Sequence, residues 1–177
     1  GTANNGVDES LQSFTLCAAL TSVQTIENPE TGTFDIHLVD LSEGKPDRLK
    51  LEIDANGDLV VTDLDYAVVN LTANPPQISN GTVVSLGTGV GITVDLMGGD
   101  DTIEIDFSNS PFGALDWSLT INGGAGFDVL TFNGMVPLGT GSLTAGESDS
   151  PTDPSKKDLE SILVNGTITS SGVTLTA

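Results

Sequence analysis

Between residues 91 and 134 short runs of alternating apolar and polar residues occur twice. Placing Ile92 on Leu119 also places Val94 on Ile121, Asp95 on Asn122, Gly99 on Gly126, Asp101 on Asp128, Ile103 on Leu130 and Ile105 on Phe132, at a constant offset of 27 (119−92). Alternation with a period of two buries one face of a strand. Each copy is therefore predicted as a strand, a glycine-rich turn carrying carboxylates, and a second strand. Glycines suit turns that need positive φ or close backbone approach. Repetition of such a unit predicts stacking, in which each copy buries what its neighbour cannot bury alone.

The rest of the chain frames this pair. Residues 1–12 are polar and predicted as an extended N-terminal segment, Phe14 to Leu20 as a buried strand, and Phe34 to Val39 as an alternating strand after the turn Asn28-Pro29-Glu30-Thr31-Gly32. Leu49, Leu51 and Ile53 alternate toward Asp54-Ala55-Asn56-Gly57-Asp58, and Leu59 and Val61 resume beyond it, which is the pattern of a hairpin turning at Asn-Gly. The same loop has an alternative as a calcium loop, with Asp54, Asn56, Asp58 and Asp65 at its first, third, fifth and twelfth positions. Leu59, however, stands where that loop needs glycine.

Further strands are predicted at Tyr66 to Leu71, ended by Pro75-Pro76, and at Thr82 to Leu86. Ser108 to Ala114 reads as a loop, and 134–157 as an exposed Gly/Ser/Asp-rich loop. Lys156 to Glu160 has the composition of a helix start, whereas Ile162, Val164, Ile168, Val173 and Leu175 favour strands. Strand pattern runs to Thr176-Ala177, the expectation for a fragment, a filament subunit or one segment of a longer solenoid.

In the second copy, Gly123-Gly124-Ala125-Gly126-Phe127-Asp128-Val129-Leu130-Thr131 resembles the nonapeptide G-G-x-G-x-D-x-U-x of calcium-binding repeats-in-toxin β-rolls. The first copy matches only the second half of it, with Leu96 and Met97 in place of the first two glycines. The longer unit is similar to repeats of very large secreted or surface proteins of bacteria. The resemblance implies an all-β chain, a single parallel β-helix or β-solenoid over 1–177, placed outside the cell, with calcium held between stacked turns. The β-roll repeats its nonapeptide in tandem, whereas here the two Asp-bearing turns stand 27 residues apart (128−101).

Composition sharpens the chemistry. Against 25 Asp and Glu stand 5 Lys and Arg, a formal charge of −20. Such a surface repels nucleic acid and anionic lipid and attracts divalent cations. Hard oxygen donors suit calcium, and Asp100, Asp101, Asp128, Asp95 and the backbone carbonyls of the Gly99 and Gly126 turns form the candidate site, with Asp106 and Asp116 flanking it. His37, the one histidine, and Cys17, the one cysteine, have no partner type nearby for a transition-metal site. No stretch is long and apolar enough to predict a membrane span.

No nucleophile elbow, phosphate loop or metalloprotease motif is present, and with 25 acidic residues some carboxylate pair at glycosidase spacing is inevitable and carries no weight. The expected function is a non-enzymatic structural or adhesive module of an extracellular surface protein or filament. Its partners would be other copies or neighbouring repeats. The alternative is a carbohydrate-binding or polysaccharide-active β-helix using Trp117, Tyr66 and Phe112 as sugar platforms. A third reading is a pilin-like β-sandwich whose N-terminal segment adds to a neighbour as a strand.

Overall fold

A computed structural model describes residues 20–27, 34–40, 45–65, 67–70, 77–79, 81–84, 90–111, 113–145 and 161–176. The regular structure in these residues is all strand. In chain order the strands are β1 (Leu20–Glu27), β2 (Phe34–Asp40), β3 (Arg48–Ile53), β4 (Leu59–Asp63), β5 (Ala67–Asn70), β6 (Gln77–Ser79), β7 (Thr82–Val84), β8 (Gly91–Asp95), β9 (Thr102–Asp106), β10 (Ser118–Asn122), β11 (Val129–Pro137), β12 (Ser142–Ala145), β13 (Ser161–Thr169) and β14 (Gly172–Leu175). They form an eight-stranded sheet ordered β14-β12-β10-β8-β2-β1-β5-β6 and a six-stranded sheet ordered β13-β11-β9-β3-β4-β7. From β8 onward successive strands fall alternately in the two sheets.

The alternating pattern explains this arrangement. In β8, β9 and β10 every second residue is buried, and the pairing is parallel and in register, so like residues lie over like. Ile36, Ile92, Leu119, Leu143 and Val173 form one row across five strands. Leu38, Val94, Ile121, Ala145 and Leu175 form a second. In the other sheet Leu49, Ile103, Leu130 and Ile162 make a third row, and Leu51, Ile105, Phe132 and Val164 a fourth. The rows of both sheets meet in one apolar cluster. Burial removes each aliphatic side chain from water at about 1.5–3 kcal/mol apiece, and register is fixed because a one-residue slip would turn a whole row outward.

The N-terminal half departs from this parallel order. β1–β2, β3–β4, β4–β7 and β5–β6 pair antiparallel, so both sheets are mixed. For β3–β4 the cause is local: Gly57 at φ 89° and an Asp54 carboxylate accepting from the amides of Asn56 (2.8 Å) and Asp58 (3.0 Å) close a hairpin turn. Asp65, the far ligand of the alternative calcium loop, instead pairs with Arg48 at 2.7 Å.

Residues 134–145, expected to open a long exposed loop, are strand and tight turn. Val136, Leu138, Leu143 and Ala145 are buried and belong to the core cluster, Leu143 and Ala145 as members of the first two rows, and the surrounding Gly, Ser and Thr had hidden their alternation. The remainder of that expected loop, the helix start at Lys156 to Glu160, residues 1–12 and most of the Phe14 to Leu20 strand lie outside the described residues. Phe107 and Trp117 pack edge to face within the core cluster, with ring centroids 6.1 Å apart.

Candidate functional site

The glycine and aspartate turns lead into β9 and β11, where the sequence places its chemistry. Two copies of the turn lie against each other, with the amide of Ala125 donating to the Met97 carbonyl (3.1 Å) and the amide of Gly99 to the Ala125 carbonyl (2.8 Å). This contact leaves no room for a side chain. A Cβ on Gly126, whose φ is +151°, would collide with the Gly99 carbonyl oxygen, and one on Gly99, at +149°, with the Lys45 carbonyl oxygen. The glycines are required by both conformation and proximity.

The carboxylates tie consecutive turns together. The Asp47 amide donates to Oδ1 of Asp101 at 2.8 Å, and the Asp101 amide donates to Oδ1 of Asp128 at 2.9 Å. The next residue on each strand continues the tie through the backbone: Thr102 donates to the Asp47 carbonyl, Val129 to that of Asp101 and Ser161 to that of Asp128. Asp47, Asp101 and Asp128 are all buried. A buried carboxylate is costly without donors, and charge-assisted amide bonds offset that cost. On the outer side, Oδ1 of exposed Asp100 accepts from the Phe127 amide at 3.0 Å.

The structure thus brings Gly99, Asp100, Asp101, Gly126 and Asp128 together at one edge, with Asp101 and Asp128 joined through an amide. Asp95 is set apart from them, at the end of β8 in register with Asn122 and partly exposed. The flanking Asp106 and Asp116 belong to other turns. Oδ1 of Asp106 accepts from the Ser108 amide, and Oδ1 of Asp116 accepts from both the amide and the hydroxyl of Thr140, each at 2.9 Å. Among the described residues no group of three or more His, Cys, Asp or Glu side chains is arranged to hold a metal ion.

Trp117, proposed as a sugar platform, is buried against Phe107 and offers no face to a ring. Tyr66 and Phe112 lie outside the described residues. No described helix is long and apolar enough to cross a membrane.

Asp47 is the member of the site that the sequence reading passed over. Its signal was there: Asp47-x-Leu49-x-Leu51, Asp101-x-Ile103-x-Ile105 and Asp128-x-Leu130-x-Phe132 share one spacing, and 54 residues separate the first two aspartates, twice the later offset. The insertion of a hairpin between these copies doubles the interval and conceals it.

Comparison with known proteins gives no match to a family model, a curated protein or a solved structure.

Two expected outcomes follow from the turn. Gly126→Ala should cost more than about 3 kcal/mol by chemical denaturation, while Gly172→Ala, where an added Cβ meets nothing within 4 Å, should be near neutral. Met97 holds φ 66° where its counterpart Gly124 holds 89°, so Met97→Gly should stabilise the protein by up to about 1 kcal/mol through relief of the left-handed strain. A loss on that substitution would mean that the Met97 side chain, not its backbone, shapes the turn.

A third outcome concerns pH. The Thr140 amide, then its hydroxyl, hold the Asp116 carboxyl below its ordinary 3.8, and the Asp58 amide, with the Asn56 amide and side chain and the Gly57 amide, does the same for Asp54. The Arg48 guanidinium does so for Asp65. A carboxylate depressed in the folded state contributes stability above its unfolded pKa and loses it as pH falls through the folded value. Unfolding midpoints measured downward from pH 3.8 should fall, and Asp116→Asn should flatten part of that slope.

Proposed function

We propose that the chain is a non-enzymatic, extracellular structural module, a stiff acidic β-solenoid in which each pair of strands, one from either sheet, is a coil stacked on the next. The observation that carries this reading is the in-register parallel stacking of like residues, Ile36 on Ile92 on Leu119 on Leu143, with carboxylate-to-amide ties joining the same turns. The parallel partners β8, β10, β12 and β14 favour a solenoid over the antiparallel pilin-like sandwich. The charge of −20 and the likeness of the Gly123 to Thr131 stretch to secreted repeats support a place outside the cell.

Such a module resists extension by its backbone ladders, and nearest-neighbour stacking makes it yield coil by coil. The paired strands are offset by 27 residues between β8 and β10 and by 24 between β10 and β12, and the offset from β11 to β13 is 32. Stretched from its ends in a force spectrometer, the chain should therefore lengthen in steps of roughly 8–11 nm, at about 3.5 Å per freed residue. One all-or-none rip would discard the solenoid and the mechanical role with it.

Calcium, the cation that the resemblance implies, enters this reading as an addition to the Asp101–Asp128 edge and not as its organiser. The donor set is all oxygen, as a hard cation prefers, yet each of these carboxylates already accepts an amide. The fold should therefore persist in excess chelator, with calcium raising the unfolding midpoint by a modest increment through ligand linkage. Asp128→Asn keeps an oxygen for the Asp101 amide while removing the charge, and should abolish that increment without unfolding the protein. Unfolding in chelator would reverse the order of dependence.

A further inference from the structure

Six of the 11 asparagines precede a glycine: Asn5, Asn56, Asn80, Asn122, Asn133 and Asn165. Such a pair is chemically labile, because the glycine nitrogen is unshielded by a side chain and can attack the asparagine side-chain carbonyl carbon. The nitrogen gives its proton to base, a new N–Cγ bond closes a five-membered succinimide, and Nδ2 leaves as ammonia. Water then adds to either ring carbonyl and opens the ring to aspartate or isoaspartate. Closing the ring turns the Asn-Gly peptide out of its folded position, so the reaction waits on local opening. The fold therefore decides which pair reacts. Asn5 and Asn80 lie outside the described residues.

Asn122 and Asn133 are locked into the stack. The Asn122 carbonyl accepts from the Leu96 amide at 3.1 Å, Gly123 is buried, and Gly124 beside it lies against the Met97 carbonyl. Asn133 and Gly134 pair in register with Asn165 and Gly166, where a Cβ on Gly166 would collide with the Gly134 carbonyl oxygen. Oδ1 of Asn133 also accepts from Nδ2 of Asn165 at 3.2 Å. Turning either peptide breaks contacts between coils.

Asn56 is held differently. It is exposed at the tip of the hairpin between β3 and β4, and its bonds among the described residues stay within the turn. The Gly57 amide donates to the Asp54 carbonyl at 3.0 Å. Nδ2 of Asn56, the group that must leave, donates to Oδ2 of Asp54 at 3.1 Å, and Oδ1 of Asp54 accepts from the Asn56 and Asp58 amides. Gly57 itself is buried, so the tip has to lift before the ring can close. Lifting it breaks these turn bonds but no rung of the β3–β4 ladder, which runs from Leu49–Asp63 to Ile53–Leu59.

We infer that Asn56-Gly57 is a self-modification site, converted with water to aspartate and isoaspartate, and that the Asp54 carboxylate is the guard that delays it. Conversion removes the Nδ2 donor and sets a third carboxylate between Asp54 and Asp58. The isoaspartyl form also lengthens the backbone of a tight turn in which Gly57 holds φ 89°. The hairpin tip loosens with age while the stacked coils persist.

Peptide mapping by mass spectrometry, on the full chain held at mildly alkaline pH, tests this. Conversion of each pair in the folded protein is divided by its conversion in denaturant, where turn and ladder are both gone. That ratio at Asn56 should exceed the ratios at Asn122 and Asn133 by at least about tenfold, with isoaspartate among the products. Asp54→Ala should raise the folded rate at Asn56 by about fivefold and leave Asn122 and Asn133 unchanged. Equal ratios at the three sites, or an Asn56 that stays intact in the folded protein, would overturn the inference. So would an Asp54→Ala chain that reacts no faster at Asn56, or that reacts faster at all three sites alike.

Discussion

The close approach of one glycine turn to the next is the constraint on which the other features depend. Gly126 sits against the Gly99 carbonyl, and Gly99 against that of Lys45, so three levels of chain are drawn to backbone contact at one edge. With the turns locked at that spacing, the strands they launch have no freedom of register. Leu130 must fall on Ile103 and Leu49, and the aliphatic rows follow. A buried carboxylate at Asp101 and at Asp128 then serves as a peg for the preceding amide. The apolar core gives the stack its free energy, but the polar edge gives it its alignment.

This division of labour bears on what the carboxylates are for. In an acidic protein the natural assumption is that aspartates face water and gather cations. Here those at the surface do much local work as well: the partly exposed Asp54 and Asp106 and the exposed Asp116 each accept an amide within or beyond their own turn, and Asp100 holds Phe127. A set of residues that looks like a metal-binding composition is thereby used to satisfy backbone donors where strands end. Hydrogen-bond acceptors at corners are what a stacked strand architecture needs most, because its connecting segments leave amides outside any ladder.

The central pair of repeats was legible in the sequence because period-two alternation and glycine spacing are both local signals. The hairpin at Asn56-Gly57 was legible for the same reason. Two features were not. Val136, Leu138, Leu143 and Ala145 belong to a core that their glycine- and serine-rich neighbourhood disguised, since short strands broken by tight turns offer too few alternations to count. Asp47 was missed because its relation to Asp101 spans 54 residues and becomes visible only when β3 is seen beside β9. Partnership between distant strands is a tertiary fact, and the composition of a loop does not announce it.

The inserted hairpins also leave a mark on how the chain would find its fold. Strand β10 joins β8 across 27 residues, whereas β3 and β9 must meet across 54 and β2 and β8 across 56, counted from Arg48, Asp35, Thr102, Gly91 and Ser118. Each doubling of a closed loop adds only about 0.6 kcal/mol of chain entropy, a slight thermodynamic burden, but pairings between remote strands are slow to form. By sequence distance alone the later repeats have the shorter search, and β2 and β3 the longer one, even though β2 and β3 are made first.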